Sequence, residues 1–402
     1  MLNKLTMSSR PIRSLAAASA AVAVLTATAG IGTAFAASAE LKNNSLAAVA
    51  VVPGGTAWAV GTDGTSTGVQ RGLIERWNGT SWRIAPSPVV GGPSASNYLR
   101  GVAAASSSSA WAVGILAIGT SFQSLILHWN GKSWKHVASP SPGGSSGVTN
   151  LNAVTAASRS SAWAVGDYLS SQSGAYRTLI LHWNGRAWRQ VTSPNPGPGT
   201  SDSNYLTGVA AVSRSSAWAV GYYYAGSTWR TLAAHWNGKT WKQVPSPNPG
   251  GTAHDNSLNA VAAASATGVW AAGDYSTGPK ILTLIERWNG KVWKRVASPN
   301  GTSILNILDG VAALSPSAAC AVGYYGDTIV SQSLAEHRNG GPWRRDSSPS
   351  PGGAFGVTQL NGVAAASPAS AWAVGFYSGS VSRTLILRWN GRAWKRVPSP
   401  NQ

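Results

Sequence analysis

Cysteine is nearly absent: the 402 residues contain one, Cys320. No internal disulfide can form, so stability must come from a core, which a chain of this length is large enough to build. Charge is scarce as well, at 11 % of residues, and acids are the scarcer sign: 12 against 31 cations, a net charge of +19. Phenylalanine occurs four times and methionine twice, whereas tryptophan occurs 20 times. Ala, Gly, Ser, Thr and Pro fill the space that charged side chains leave. That composition suits short strands and turns and argues against long helices. No G-x-S-x-G nucleophile elbow is present, and no stretch beyond residue 36 is apolar enough to span a membrane.

Residues 1–36 stand apart. Lys4, Arg10 and Arg13 make a positive start, no charge follows until Glu40, and Leu15 to Thr33 is Ala-rich. Ala34-Phe35-Ala36 and Ala37-Ser38-Ala39 both fit a small-x-small cleavage site. A secretory signal peptide is expected here, cut after Ala36 or Ala39, and with it a secreted, extracellular protein that could associate with the cell surface. Arg10 and Arg13 are not adjacent, and no cysteine lies near the cleavage sites. Twin-arginine and lipid-anchored forms are therefore not indicated.

The remainder, residues 46–402, is one unit repeated seven times. A segment of the form L-x-G/A-V-A-A begins near 46, 99, 151, 206, 258, 308 and 360, a period of about 52 residues. Each unit continues with A-W-A-V-G or a close relative, then a segment of the L-I-L-H/R-W-N-G-x-x-W type, then S-P. In the second unit these pieces predict strands at 99–106, 110–114, 124–129 and 133–140, with Asn130-Gly131 as the turn of the last hairpin. Four antiparallel strands per unit and seven units specify an all-β chain, a seven-bladed β-propeller. Both plausible hairpin pairings put Trp129 and Trp134 on one face of the sheet, where they should pack on the neighbouring blade. Trp111, Trp163, Trp183 and Trp188 are assigned to the same structural core. The sixth unit carries Cys320 and Arg338 where its sisters carry tryptophan, so it is expected to be the least stable blade.

The order G-V-A-A, W-A-V-G, L-I-L-x-W-N-G-x-x-W resembles the Kelch repeat. It also resembles exported bacterial propellers of the galactose-oxidase central-domain type. It departs from Kelch in having one glycine after strand two, as at Gly114, Gly166 and Gly221, rather than a doublet. The N-G turn is similar in place to the Asp-box hairpin of sialidase-like propellers, with Asn in place of Asp. The resemblance implies a propeller fold and leaves the activity open, since propellers host many functions.

Length variation is confined to the loops between strands two and three and between blades. These lie on one face of an up-and-down propeller, and varied loops on a rigid scaffold are where binding is expected. The candidate ligand-binding residues on that face are Arg100, Asn152, Asn259, Asp309 and Asn361 at the starts of first strands. Tyr168, Tyr223, Tyr275, Tyr325 and Tyr377 follow the second strands. Tyrosine and amide side chains suit sugars, although buried tyrosines also pack between blades with only the hydroxyl wet.

Other chemistry finds little support in the residue positions. His128, His182, His235 and His337 share one repeat position and so sit in four different blades, which excludes a common metal ion. No metal site, no cofactor and no catalytic residue is assigned. A carboxylate pair for glycoside hydrolysis is not indicated. Sialidase-like chemistry would need arginine, tyrosine and an acid together, and no such cluster can be assembled from the sequence. Fifteen cations, among them Lys135, Arg189, Lys242 and Lys294, fall on the fourth strands or their turns. They guard exposed edges and would also give salt-sensitive contact with polyanions, without specific nucleic-acid recognition. The reading is a monomeric, non-catalytic extracellular module that binds carbohydrate or cell-wall polymer. The alternatives are a protein-interaction scaffold and a glycan-active enzyme of sialidase or galactose-oxidase-like type.

Overall fold

A computed structural model of the chain describes residues 43–52 and 55–400; the expected signal peptide lies outside the described residues. These residues form 28 strands in seven consecutive groups of four, each group antiparallel in sequence order. Blade 3 is typical, with strands Thr149–Ser158, Ser161–Leu169, Tyr176–Trp183 and Trp188–Val191. The first strands of successive blades touch one another all the way round, and that of blade 7 (Val357–Ser367) returns to that of blade 1 (Asn44–Val52). The molecule is a seven-bladed β-propeller with its small, Ala- and Gly-rich strands innermost.

The ring closes by side chains. Trp372 of blade 7 packs on Trp77 and Trp82 of blade 1, with ring centroids 4.9 and 5.2 Å apart. The Asn361 side-chain amide donates to the Leu46 carbonyl at 2.7 Å.

Inner strands run longer than the sequence suggests and outer ones shorter. In blade 2 the first strand is Ser96–Ser106 and the fourth only Trp134–His136. The cause is the S-P segment, whose proline has no N–H for the ladder. The next side chain takes over: Asn195, Asn248 and Asn300 accept from the strand-three N–H groups of Thr178, Thr231 and Thr283 at 2.8, 2.9 and 2.9 Å.

Blades are joined by tryptophan triads. The strand-two indole of one blade sits between the strand-three and strand-four indoles of the next, as Trp111 does against Trp183 (4.9 Å) and Trp188 (5.0 Å). Trp58 meets Trp129 and Trp134, and Trp163 meets Trp236 and Trp241, in the same way. Trp129 and Trp134 are register partners across the N-G turn, 6.0 Å apart. The exchange of His for Arg on strand three now has a physical reason. His128, His182 and His235 stack on their own blade's Trp111, Trp163 and Trp218 at 4.1–4.5 Å. Arg76 and Arg388 cover Trp58 and Trp372 at 5.2 and 5.3 Å, a cation–π contact.

Three of these interfaces contain a fully buried carboxyl. Glu75, Glu286 and Glu336 occupy the strand-three position that is Leu127, Leu181 or Leu387 in other blades, and each is 0 % exposed. Burial pushes Glu75 up to about 7, partly opposed by a hydrogen bond from Ser399. Burial pushes Glu336 up to about 8, with Arg345 opposing, and holds Glu286 well above the ordinary range. A carboxyl whose pKa is higher folded than unfolded adds stability that is complete below its unfolded pKa and is lost as pH rises through the folded one. The melting temperature is therefore expected to fall between about pH 5 and pH 8. The double variant Glu75→Leu/Glu336→Leu should flatten that slope in a thermal-melt series. An unchanged slope would show that these carboxyls are not protonated in the fold.

Candidate functional site

Each first strand has a β-bulge near its start, and the bulged residues include the candidates that the sequence assigns to the variable-loop face. The register skips Arg100 between Leu99 and Gly101, Asn152 between Leu151 and Ala153, Asn259 between Leu258 and Ala260, and Asn361 between Leu360 and Gly362. A bulge leaves its extra residue out of the ladder and re-aims its side chain. Here the side chain reaches the next blade. Asn152 Nδ2 donates to Leu206 O at 2.8 Å, and Asn259 Nδ2 to Leu308 O at 2.9 Å. Asp309, at the same position in blade 6, is 3.5 Å from Asn259 Nδ2. The candidate ring residues thus also stitch the blades together. Of the five tyrosines, Tyr275 is buried in the core between blades 4 and 5. Tyr168, Tyr223, Tyr325 and Tyr377 pack half-buried against the other interblade cores.

What the structure adds is a cluster in blades 2 to 4. Arg100 donates to Asn152 Oδ1 at 2.9 Å, and Asn152 Nδ2 donates to Asp167 Oδ1 at 3.0 Å. Asn150 Nδ2 donates to the other oxygen of Asp167 at 2.7 Å. A belt of rings continues from this carboxylate: Tyr176 lies 5.2 Å from Tyr205, and Tyr205 lies 5.2 Å from Tyr222. Trp229 closes the belt, 5.2 Å from Tyr222 and 5.0 Å from Tyr224. Register explains the grouping, since Tyr205 pairs with Tyr222 across blade 4 and Tyr224 with Trp229.

The electrostatics are those of a dry site. Burial pushes Asp167 up to about 6 against the pull of Asn150, Asn152 and Arg100. Burial brings Arg100 down to about 10, opposed by Asp167, Tyr98 and Tyr222. Tyr176 and Tyr205 are both raised, chiefly by burial and further by the Asp167 charge. The other carboxylates of this sector serve loops: Asp202 accepts from Gly199 N–H at 2.8 Å and Asp255 from Trp229 N–H at 3.0 Å. Among the described residues, no three His, Cys, Asp or Glu side chains come together as donors for a metal ion.

Sequence reasoning passed over Asp167 as a partner of Arg100 because the two are 67 positions apart and meet only when blade 2 docks on blade 3. One signal was available. Nineteen of the 20 tryptophans hold repeat positions, and the exception is Trp229.

No family model matches the chain, and no curated protein matches it. Solved structures do. A polysaccharide lyase of family PL25, an ulvan lyase, superposes with a TM-score of 0.57 at 10 % identity, over 89 % of this chain and 96 % of that one. The GH74 xyloglucanase of Xanthomonas campestris gives 0.53 at 12 %, over 88 % of this chain and 55 % of its own. The BP39L lectin of Burkholderia pseudomallei gives 0.51 at 13 %, over 88 % and 98 %. These three are carbohydrate-related proteins by name, and an acylaminoacyl peptidase of Pyrococcus horikoshii superposes as well, with a TM-score of 0.51 at 8 % identity over 88 % of this chain and 52 % of its own, so the likeness shows the propeller fold.

The expectation of a non-catalytic binding module or interaction scaffold needs correction. It rested on residue positions that offered no nucleophile elbow and no carboxylate pair, and on the lack of any arginine–tyrosine–acid cluster. The similar solved structures include a polysaccharide lyase and a xyloglucanase, so this fold is no argument against an enzyme. The second premise fails on Arg100, Asp167, Tyr205 and Tyr222, which blade packing brings together.

Proposed function

We propose that the chain is a glycan-cleaving enzyme that acts on an acidic polysaccharide by β-elimination at the mouth formed by blades 2 to 4. The observation that carries this reading is the Arg100 guanidinium, held at the channel mouth by Asn152 and in electrostatic contact with Tyr222 and Tyr98. β-Elimination from a uronate needs three things. The sugar carboxylate must be neutralised, a base must take the proton from the neighbouring carbon, and an acid must protonate the departing glycosidic oxygen. The C–H electron pair becomes the new C=C bond as the C–O bond breaks, so no water or redox partner enters.

Arg100 is the neutralising group, and its charge counts for more in a buried site than in water. Tyr222, beside the guanidinium, is assigned as the base, and Tyr205, its register partner, as the acid. Asp167 is a positioning residue: both its oxygens accept from asparagine side chains, one of which orients Arg100. Tyr176, Tyr224 and Trp229 offer faces on which sugar rings stack. Glycoside hydrolysis fits less well, because it needs two carboxylates facing each other. In this sector Asp202 and Asp255 are committed to loop backbone. The ulvan lyase was solved bound to a chain of GlcA and Rha3S units, which is an acidic glycan. The net charge of +19 suits such a substrate. Secretion, suggested by residues 1–36, a Kelch-like repeat ancestry and polyanion adhesion through the exposed Lys135, Arg189, Lys242 and Lys294 belong to the same reading.

The test is a panel of uronate polysaccharides, followed by the ultraviolet absorbance of the unsaturated product. Arg100→Ala is expected to lower the rate about a hundredfold or more, and Tyr205→Phe to lower it with binding retained. A wild-type protein that releases no unsaturated ends from any uronate polymer would end this reading.

A further inference from the structure

We propose that the gap between blades 6 and 7 is a binding pocket for a planar N–H heteroaromatic ring of the indole class. The repeat itself says what the place is shaped for. In the other six interfaces an indole occupies it: Trp58, Trp111, Trp163, Trp218, Trp270 and Trp372 each pack on the outer side chains of the next blade. Their centroids lie 5.0–5.5 Å from the strand-four indole, close to edge-on. In blade 7 the receiving pair, Trp389 and Trp394, is in place at 5.5 Å from each other. The residue that should enter between them is Cys320. A cavity of about 90 Å³ remains there, walled by Ala319, Ala371, Trp389 and Trp394 and reached past the exposed Pro368. That is several times the roughly 30 Å³ share of a water molecule.

A second departure from the repeat lies on the same cavity. Asp346 stands where the sister blades have Val137, Val191, Val244, Val296 and Val397. One of its oxygens pairs with His337 Nδ1 at 2.7 Å. The other, Oδ2, is buried without a well-formed hydrogen bond, the Trp394 N–H making only a loose approach. Loss of a tryptophan alone would leave an apolar hole. Here the hole and a hydrogen-bond acceptor come together, and a buried acceptor with only a poorly formed hydrogen bond costs free energy that a ligand N–H would recover. The indole walls at ring spacing and the Asp346 acceptor fit a flat aromatic ring with an N–H donor, in a lining that also includes His337, Arg338 and Asn339. The pocket opens beside the strand one-to-two turn, on the face opposite the channel mouth, so it is separate from the glycan site.

The experiment compares indole with benzofuran, which has the same shape and no N–H. Calorimetric titration and thermal melts of the full chain are the readouts. Wild type is expected to bind indole saturably and to melt higher with it. Cys320→Trp, which restores the sister residue, should abolish both effects. Cys320→Leu fills the gap with less bulk and should abolish them as well if the tryptophan variant folds poorly. Asp346→Val should weaken indole about tenfold, the size of one lost hydrogen bond, and leave benzofuran unchanged. No saturable indole binding to wild type, undiminished binding to both Cys320 variants, or equal loss of the two rings in Asp346→Val would each overturn the proposal.

Discussion

Gly273→Ala is expected to destabilise the propeller by more than about 4 kcal/mol, a loss in the exceptional class for one methyl group. The repeat glycine closes the second-strand A-W-A-V-G segment and faces the bulge of the first strand. At Gly273 an added Cβ would stand 2.1 Å from the Ser257 carbonyl oxygen and 2.8 Å from Leu258 Cα. The same clash, at 1.8–2.0 Å from a carbonyl oxygen, recurs at Gly61, Gly114, Gly166, Gly221, Gly323 and Gly375. None of these glycines has a positive φ, so the constraint is one of space and not of handedness. The neighbours are backbone of the first strand, held in its ladder with the second, and they cannot turn away as a side chain can. Urea unfolding would measure the loss. Gly341→Ala, where a Cβ meets nothing within 4 Å, is the control and should stay within about 0.5 kcal/mol of wild type. A Gly273→Ala loss below about 1 kcal/mol would mean that the bulge relaxes and does not set the strand spacing.

Trp163→Ala is expected to cost about 3–5 kcal/mol, the range for deleting a large buried aromatic. Trp163 is 1 % exposed and touches Trp236 and Trp241 across the interface at 5.0 and 5.2 Å, with His182 stacked on it at 4.1 Å. Truncation would leave Trp236 and Trp241, 6.0 Å from each other, and His182 facing the space of a deleted indole. Cys320→Ala, at the same repeat position in blade 6, removes one sulfur beside an existing cavity and should cost about 1 kcal/mol or less. The ratio of the two losses tests whether the triads hold the ring together. Hydrogen exchange should report the same asymmetry. Protection is expected to be weakest in blade 6, where Cys320 and Arg338 replace two indoles, and uniform protection across the blades would contradict it. Equal losses in the two variants would show that stability lies within blades and not between them.

The hairpin H-W-N-G-K-S-W shows how far residues alone lead. Its turn, its two same-face tryptophans and its edge lysine all follow from local chemistry, and the structure pairs Trp129 with Trp134 as the spacing requires. The fourth strand was less legible. Its apolar alternation runs to the S-P segment, but ladder pairing stops earlier because proline offers no N–H and asparagine side chains substitute. The bulges left no mark at all. Arg100 and Asn152 look like any polar residue near a strand start, and nothing local says that the register slips there. Tyr205 and Tyr222 were visible as tyrosines, yet their grouping with Tyr176 and Trp229 depends on which blade stands beside which.

The sequence by itself determined the blade count, the four-strand unit, the face that carries variable loops and the indole staple. Each of these is written in spacing and periodicity, which act over a few residues or recur every 52 or so. Only the tertiary structure decided the candidate site, the fate of the buried glutamates and the gap beside Cys320. These depend on contacts between side chains of different blades, and in a ring such neighbours are a whole repeat apart in the chain. Residues so far apart are joined by packing and by the bulges that aim them, and neither leaves a local signature in the order of amino acids.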